Sequence, residues 1–106
     1  MPFVNLDGLE EREPVPGYKV HFVHSEHMTF AYWQIRQGVA LPEHSHPHEQ
    51  VASMIEGAYE LTIDGETKVL RPGDVAIIPP NALHSGMSHT DCRIIDVFYP
   101  IREDYT

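Results

Sequence analysis

The sequence predicts an all-β domain, a sandwich or small barrel built from short strands. Three observations carry that expectation. Runs rich in β-branched and aromatic residues recur at intervals of roughly 8 to 12 residues. The gaps between them hold Gly, Pro, Asp and Asn, which supply the backbone angles and side-chain hydrogen bonds that turns need. Apolar residues almost never recur with the helical period.

Residues 1–17 are acidic and proline-punctuated, with Glu10, Glu11, Glu13, Pro14 and Pro16, and are expected to form an arm along the domain or a neighbour. The barrel is then expected over residues 18–106, with strands at 18–24, 28–37, 50–56, 59–64, 67–70, 74–78 and 92–99. In the second of these, Trp33 with Phe30 and Tyr32 reads as core or interface. Asp64-Gly65 is a hairpin dipeptide separating two alternating runs, and Arg71-Pro72-Gly73-Asp74 is a second turn. The apolar run Val75 to Ile78 ends at Pro79-Pro80-Asn81, a further turn. In the last strand Ile94, Asp96 and Phe98 share one face, and Arg93, Ile95, Val97 and Tyr99 share the other. Neither face is polar, so burial on both sides is expected. A buried aspartate is costly unless it is paired, near a metal, or used in chemistry.

A chain of 106 residues is one small domain, and its 42% hydrophobic and 22% charged residues are ordinary globular composition. Sixteen acidic against seven basic residues give a formal charge of -9, which repels phosphate backbones and anionic lipid. Neither nucleic-acid nor membrane binding is expected. Cys92 stands alone, so no intrachain disulfide forms, and a reducing cytoplasm is the expected location. No apolar run reaches the roughly 20 residues of a membrane span, and no basic-then-apolar leader is visible. A barrel this small exposes much surface, and a homodimer using the arm and an edge strand is expected.

Histidine is the outlier, with eight in the chain and His44, His46 and His48 close together. Alternate residues of an extended chain share a face, so His44 and His46 point one way, and Gln50 keeps that parity if the strand continues. Pro42 and Pro47 stiffen the backbone that carries the pair. His84, delivered by the turn at Pro79-Pro80-Asn81, is the best further ligand for a metal ion. Glu49 rivals Gln50 with the opposite parity, and His48 has the matching parity. His21, His24, His27 and His89 carry no metal-ligand spacing.

The pattern Gly38-x5-His44-x-His46-x3-Gln50-x6-Gly57 is similar to the first motif of the cupin superfamily, with Gln50 where a glutamate is usual. Gly73-x5-Pro79-x-Asn81-x2-His84-x3-Ser88 resembles the second motif, with Asn81 for glycine and Ser88 for asparagine. Asn tolerates positive φ better than most residues, so Asn81 is a mild departure. The resemblance implies a single-domain cupin jelly-roll, a double-stranded β-helix barrel. It also implies a divalent transition metal (Zn, Ni, Fe or Mn) in the barrel mouth, held by His44, His46, Gln50 and His84. A neutral shell of imidazoles and an amide leaves the dication charge uncompensated, which favours Lewis-acid work on an anionic or carbonyl-bearing substrate.

The tail from Asp96 to Tyr105 resembles the end of the pectin-degradation, KdgF-type cupins. There an aspartate, a phenylalanine two residues on and an arginine four further on form part of the active site. Asp96, Phe98 and Arg102 match that spacing. The resemblance implies conversion of unsaturated uronates, a small-molecule substrate, to linear ketouronates in pectin or alginate breakdown. Arg102 would hold the substrate carboxylate, Asp96 would move a proton, and Phe98 would wall a sugar face. A cupin dioxygenase and a non-enzymatic sugar- or metabolite-binding cupin are the alternative readings.

Overall fold

Seven of the ten strands in the computed structural model, which describes residues 2–106, fall where alternation and turn residues predict them. The strands are β1 (Arg12–Val15), β2 (Tyr18–His24), β3 (Thr29–Ile35), β4 (Ala40–His44), β5 (Glu49–Glu56), β6 (Tyr59–Ile63), β7 (Glu66–Leu70), β8 (Val75–Ile78), β9 (His84–Ser88) and β10 (Cys92–Tyr99). They form two antiparallel sheets, one ordered β1-β2-β3-β10-β5-β8 and the other β4-β9-β6-β7. Two 3-10 turns, Leu6–Gly8 and Glu103–Tyr105, are the only helical elements among the described residues. None is long and apolar enough to cross a membrane.

The three strands that composition did not predict are β1, β4 and β9. Two of them, β1 and β4, are edges, and both carry a proline, Pro14 and Pro42, where a missing N–H breaks no ladder. Thus part of the N-terminal segment expected as an arm adds a strand to the larger sheet. The β9 sequence His-Ser-Gly-Met-Ser has weak strand propensity, yet it lies between β4 and β6 and bonds to both. Pairing on two sides overrides local preference there.

Alternation decides what faces inward. Along β10 the buried residues are Cys92, Ile94, Asp96 and Phe98, whereas Arg93 and Tyr99 are exposed and Ile95 and Val97 half-buried. The expected burial on both faces is therefore corrected: the outer face is only partly covered. Inside, Tyr18, Ile35, Met54, Leu61, Ile78 and Ile94 pack into one apolar cluster. Within it the Tyr18 hydroxyl donates to the Val39 carbonyl at 2.8 Å and lies 3.0 Å from the Tyr59 hydroxyl. The Tyr59 ring reaches that position because β9 has Gly86 beside it, where any Cβ would collide with the hydroxyl.

The predicted turns hold. Asp64 and Gly65 join β6 to β7 with φ of 47° and 84°, the paired positive angles of a type I′ hairpin. Asn81 takes φ of 66°, as its tolerance of that region allows. Beyond the Tyr18 cluster, Thr29, Phe98 and Gln50 form one row across β3, β10 and β5, which Ile78 of β8 joins to the cluster. That end carries the polar site.

Candidate metal centre

Two neighbouring strands of one sheet and the bend after the first of them deliver the histidines. His44 closes β4, His84 opens β9, and the two are direct partners in the ladder. The strand does not continue through His46: residues 45–48 bend across the barrel, and β5 restarts in the other sheet at Glu49. Strand parity alone therefore does not bring His46 and Gln50 together. The bend turns His46 inward, and β5 alternation points Gln50 in, 8% exposed, and Glu49 out. The Nε2 of His46 then sits 3.1 Å from Gln50 Oε1. His44, His46 and His84 form a cluster whose ligand atoms all lie within 4.8 Å of one another.

The protons of these rings are fixed by their own backbone. His44 Nδ1 donates to the Pro42 carbonyl at 2.8 Å, His84 Nδ1 to Ala82 at 2.9 Å, and His46 Nδ1 to His48 at 3.1 Å. Each ring so held keeps its lone pair on Nε2. Burial lowers the basicity of His84, and it lowers His46 to a pKa of about 4, with the positive charge of Arg102 adding to the shift. His46 and His84 are therefore neutral near pH 7. His84 Nε2 is buried and has no hydrogen-bond partner. Between His46 Nε2 and Gln50 Oε1, two acceptors face each other without a proton to share. Converging lone pairs, one of them orphaned, are the arrangement a cation satisfies, and three imidazoles with an amide oxygen suit a divalent transition metal.

Behind the histidines the barrel encloses a cavity of about 110 Å³, lined by the imidazoles, Trp33, Asp96, Phe98 and Arg102 among others. Asp96 is 7% exposed, and its Oδ1 has no hydrogen-bond partner. Burial pushes its carboxyl up to about 7, against the weaker opposing pull of Gln50, Trp33 and Arg102. Phe98 presents its edge to His46, with ring centroids 5.6 Å apart, and carries the Arg102 guanidinium 4.8 Å above its own ring. It also packs with Val20 and Ala31, so it serves core and cavity together.

A family model described as the cupin domain matches residues 31–98. The chain belongs to the cupin family. Among curated cupins it is 34% identical over 64 residues to the pectin degradation protein KdgF of Dickeya dadantii, covering 58% of each chain. The chain thus spans a little over half the length of that relative. Two solved structures match nearly end to end. An RmlC-like cupin from Shewanella frigidimarina superposes with a TM-score of 0.93 at 28% identity, covering all of this chain and 96% of that one. KdgF from Halomonas sp. superposes with a TM-score of 0.89 at 26% identity, covering 98% and 96%. The fold is thereby the cupin jelly-roll, and the likeness is to KdgF.

The seven residues expected as metal ligands or catalytic groups all line the cavity of this cupin, His44, His46, Gln50, His84, Asp96, Phe98 and Arg102, whereas the rival ligand Glu49 faces solvent. His48 lies beside the centre but outside the three-histidine cluster, and it contributes its carbonyl to His46. Trp33, read as core or interface, lines the cavity, and its buried Nε1 has no partner. Tyr105 lines it as well, its ring 4.3 Å from the Arg102 guanidinium. For Trp33 the available signal was β3 parity with buried Ala31 and Ile35; for Tyr105 no local pattern exists.

Proposed function

We propose that this cupin is a metal-dependent enzyme acting on a small anionic sugar, converting unsaturated uronates to linear ketouronates in pectin or alginate breakdown. The observation that carries the reading is the shared cavity. Three imidazoles, a buried carboxyl and a guanidinium face one space large enough for part of a small ligand. The likeness to two KdgF proteins, one of them named for pectin degradation, supports the substrate class.

When bound at His44, His46, His84 and Gln50, a divalent transition metal supplies Lewis acidity to a substrate oxygen. Arg102 holds the uronate carboxylate through charge-assisted hydrogen bonds. Phe98 gives an apolar wall to the sugar ring. Asp96, with a pKa near neutrality, is suited both to accept and to return a proton. Ring opening takes the proton from the anomeric hydroxyl and breaks the ring C–O bond, leaving an aldehyde and an enol. Tautomerisation then places a proton on the neighbouring alkene carbon and forms the ketone. Product and substrate are isomers, so neither oxidant nor water enters.

Incubation of metal-loaded protein with unsaturated galacturonate is expected to remove the enol-ether absorbance. A trace indistinguishable from buffer overturns the proposal, and substrate-dependent oxygen consumption would put the dioxygenase in its place. A homodimer belongs to the same proposal, supported by exposed Val75 and Ile77 on edge strand β8 and exposed Phe3 and Val4 in the arm. Sedimentation as a pure monomer at micromolar concentration counts against it. A cytoplasmic location is supported by the free, buried Cys92, and fractionation that recovers the protein outside that compartment counts against it.

A further inference from the structure

The chain after β10 turns back over the cavity mouth, and its contacts converge on one guanidinium. Arg102 is 8% exposed and donates from Nε to Asp104 Oδ1 at 2.9 Å and from Nη2 to Asp104 Oδ2 at 2.7 Å. This is the two-bond fork by which a carboxylate grips one edge of a guanidinium. Neither bond uses Nη1, so the Nη1–Nη2 edge is left for an outside carboxylate. The Phe98 and Tyr105 rings pack against the same group at 4.8 and 4.3 Å.

The turn that carries these residues is tied to the far end of the chain. The Tyr105 ring stacks on Phe22 at 4.3 Å. The backbone N–H of Arg102 donates to Thr29 Oγ1 at 2.9 Å, and the Thr29 hydroxyl in turn meets His24 Nδ1 at 2.9 Å. The other nitrogen, His24 Nε2, lies 3.3 Å from the Tyr105 carbonyl. One proton pattern satisfies all three contacts: Thr29 donates to Nδ1, and Nε2–H donates to the carbonyl. His24, without a role in the sequence reading, is thereby placed as an anchor of the turn.

We propose that Asp104 is a positioning residue: by gripping the Nε edge of Arg102 it fixes the guanidinium plane and leaves the Nη1–Nη2 edge for the substrate carboxylate. The inference rests on the reading that Arg102 binds that carboxylate. The pair adds little to folding, because the Asp104 side chain is 55% exposed and such pairs are well screened. Its geometry is what it contributes.

The test is calorimetric titration of the metal-loaded protein with galacturonate and with its uncharged methyl ester. Wild type is expected to prefer the acid. Asp104→Asn is expected to weaken binding of the acid by about ten-fold and leave the ester unchanged, while Asp104→Glu, which keeps the carboxylate, recovers part of the loss. The unfolding midpoint of each variant is expected to stay close to wild type. Unchanged acid binding in Asp104→Asn, or equal weakening of acid and ester, overturns the inference. Arg102→Lys, which keeps the charge and loses the fork, separates it from the reading beneath. If Arg102→Lys loses the preference for acid and Asp104→Asn keeps it, only the role of Asp104 falls. If neither variant changes the preference, the role of Arg102 falls with it.

Discussion

The polar site has two ends, the histidines and the Arg102 turn, and they are built in opposite ways. At the histidine end each imidazole is oriented by a carbonyl two residues away along its own segment, Pro42 for His44, His48 for His46 and Ala82 for His84. At the other end the Arg102 backbone N–H donates to Thr29 Oγ1, and its turn is braced by Phe22 and His24. The first arrangement is local and survives as long as three short segments keep their shape. The second exists only when strands from opposite ends of the chain have already paired. Local orientation suits a centre that must hold three donors rigidly toward one point. A long-range brace suits a group whose plane must be fixed from outside its own turn.

The sharpest way to break the comparison is at the local end. His84→Ala removes the buried, unpartnered Nε2 from the centre of the cluster. Metal affinity is expected to fall by at least about 100-fold, and turnover to reach background. Competition with a chromogenic chelator reads the first and the uronate assay the second. The barrel itself should survive, because its apolar cluster around Tyr18, Met54 and Ile94 does not involve the centre. Chelation of wild type should likewise abolish turnover reversibly without unfolding. Wild-type metal content in His84→Ala would mean that the three imidazoles do not act as a unit.

Asp96 faces the same cavity and separates chemistry from stability. Asp96→Asn is expected to lower turnover by about 100-fold or more while metal content stays unchanged. In metal-free protein the same substitution should change the pH dependence of folding. Burial raises this carboxyl from 3.8 in the unfolded chain to about 7 in the fold, so the folded state holds the proton more tightly. The stabilisation is complete below the lower value and is lost as pH rises through the upper one. Asparagine has no charge to expel and should flatten that fall, leaving Asp96→Asn more stable than wild type at pH 8. Parallel denaturant titrations from pH 4 to 8 check this, and parallel curves for the two proteins would show that the buried group is not Asp96.

What the sequence revealed follows the same division. His44, His46 and Gln50 lie in one short stretch, and the turn before His84 is written in Pro79-Pro80-Asn81, so spacing sufficed to collect them. Even so, the reason given by strand parity was incomplete, since the bend over residues 45–48 does the turning. β9 escaped notice because its strand character comes from pairing with β4 and β6, which no local composition encodes. Asp104, Tyr105, Thr29 and His24 form one network across 81 residues of chain, and nothing in their own neighbourhoods marks them. Asp96 announced itself in two ways, as an acid on a strand without a polar face and by its spacing to Phe98 and Arg102.

Thr29→Val tests the long-range brace directly. The residue is fully buried, and valine nearly matches its shape while deleting the hydroxyl that links Arg102 to His24. Both partners lose a hydrogen bond, at an expected cost of about 1 to 3 kcal/mol in folding stability. Metal affinity should not change, because no centre ligand touches the link. Acid binding should weaken by only a few-fold, on the order of 1 kcal/mol, as the Arg102 turn loosens. Hydrogen exchange should speed up at residues 100–106 and not at the histidines. Faster exchange at both places would mean the two ends are one cooperative unit, and the contrast between them would fail.

The smallest expected effect is the most useful control on the local end. Glu49 is adjacent to Gln50 and carries the charge that a metal prefers, so chemistry alone would choose it as the ligand. Alternation along β5 decides otherwise, turning Glu49 to solvent and Gln50 toward His46 Nε2 at 3.1 Å. Glu49→Gln should therefore leave metal content and turnover within about two-fold of wild type, since an exposed charge at that distance is screened by salt. Gln50→Glu should instead bind metal more tightly and turn over more slowly, because an anionic ligand neutralises part of the charge that polarises the substrate. If Glu49→Gln strips the metal, the bend at 45–48 must swing β5 by one residue when an ion binds. The local end would then be the one that moves.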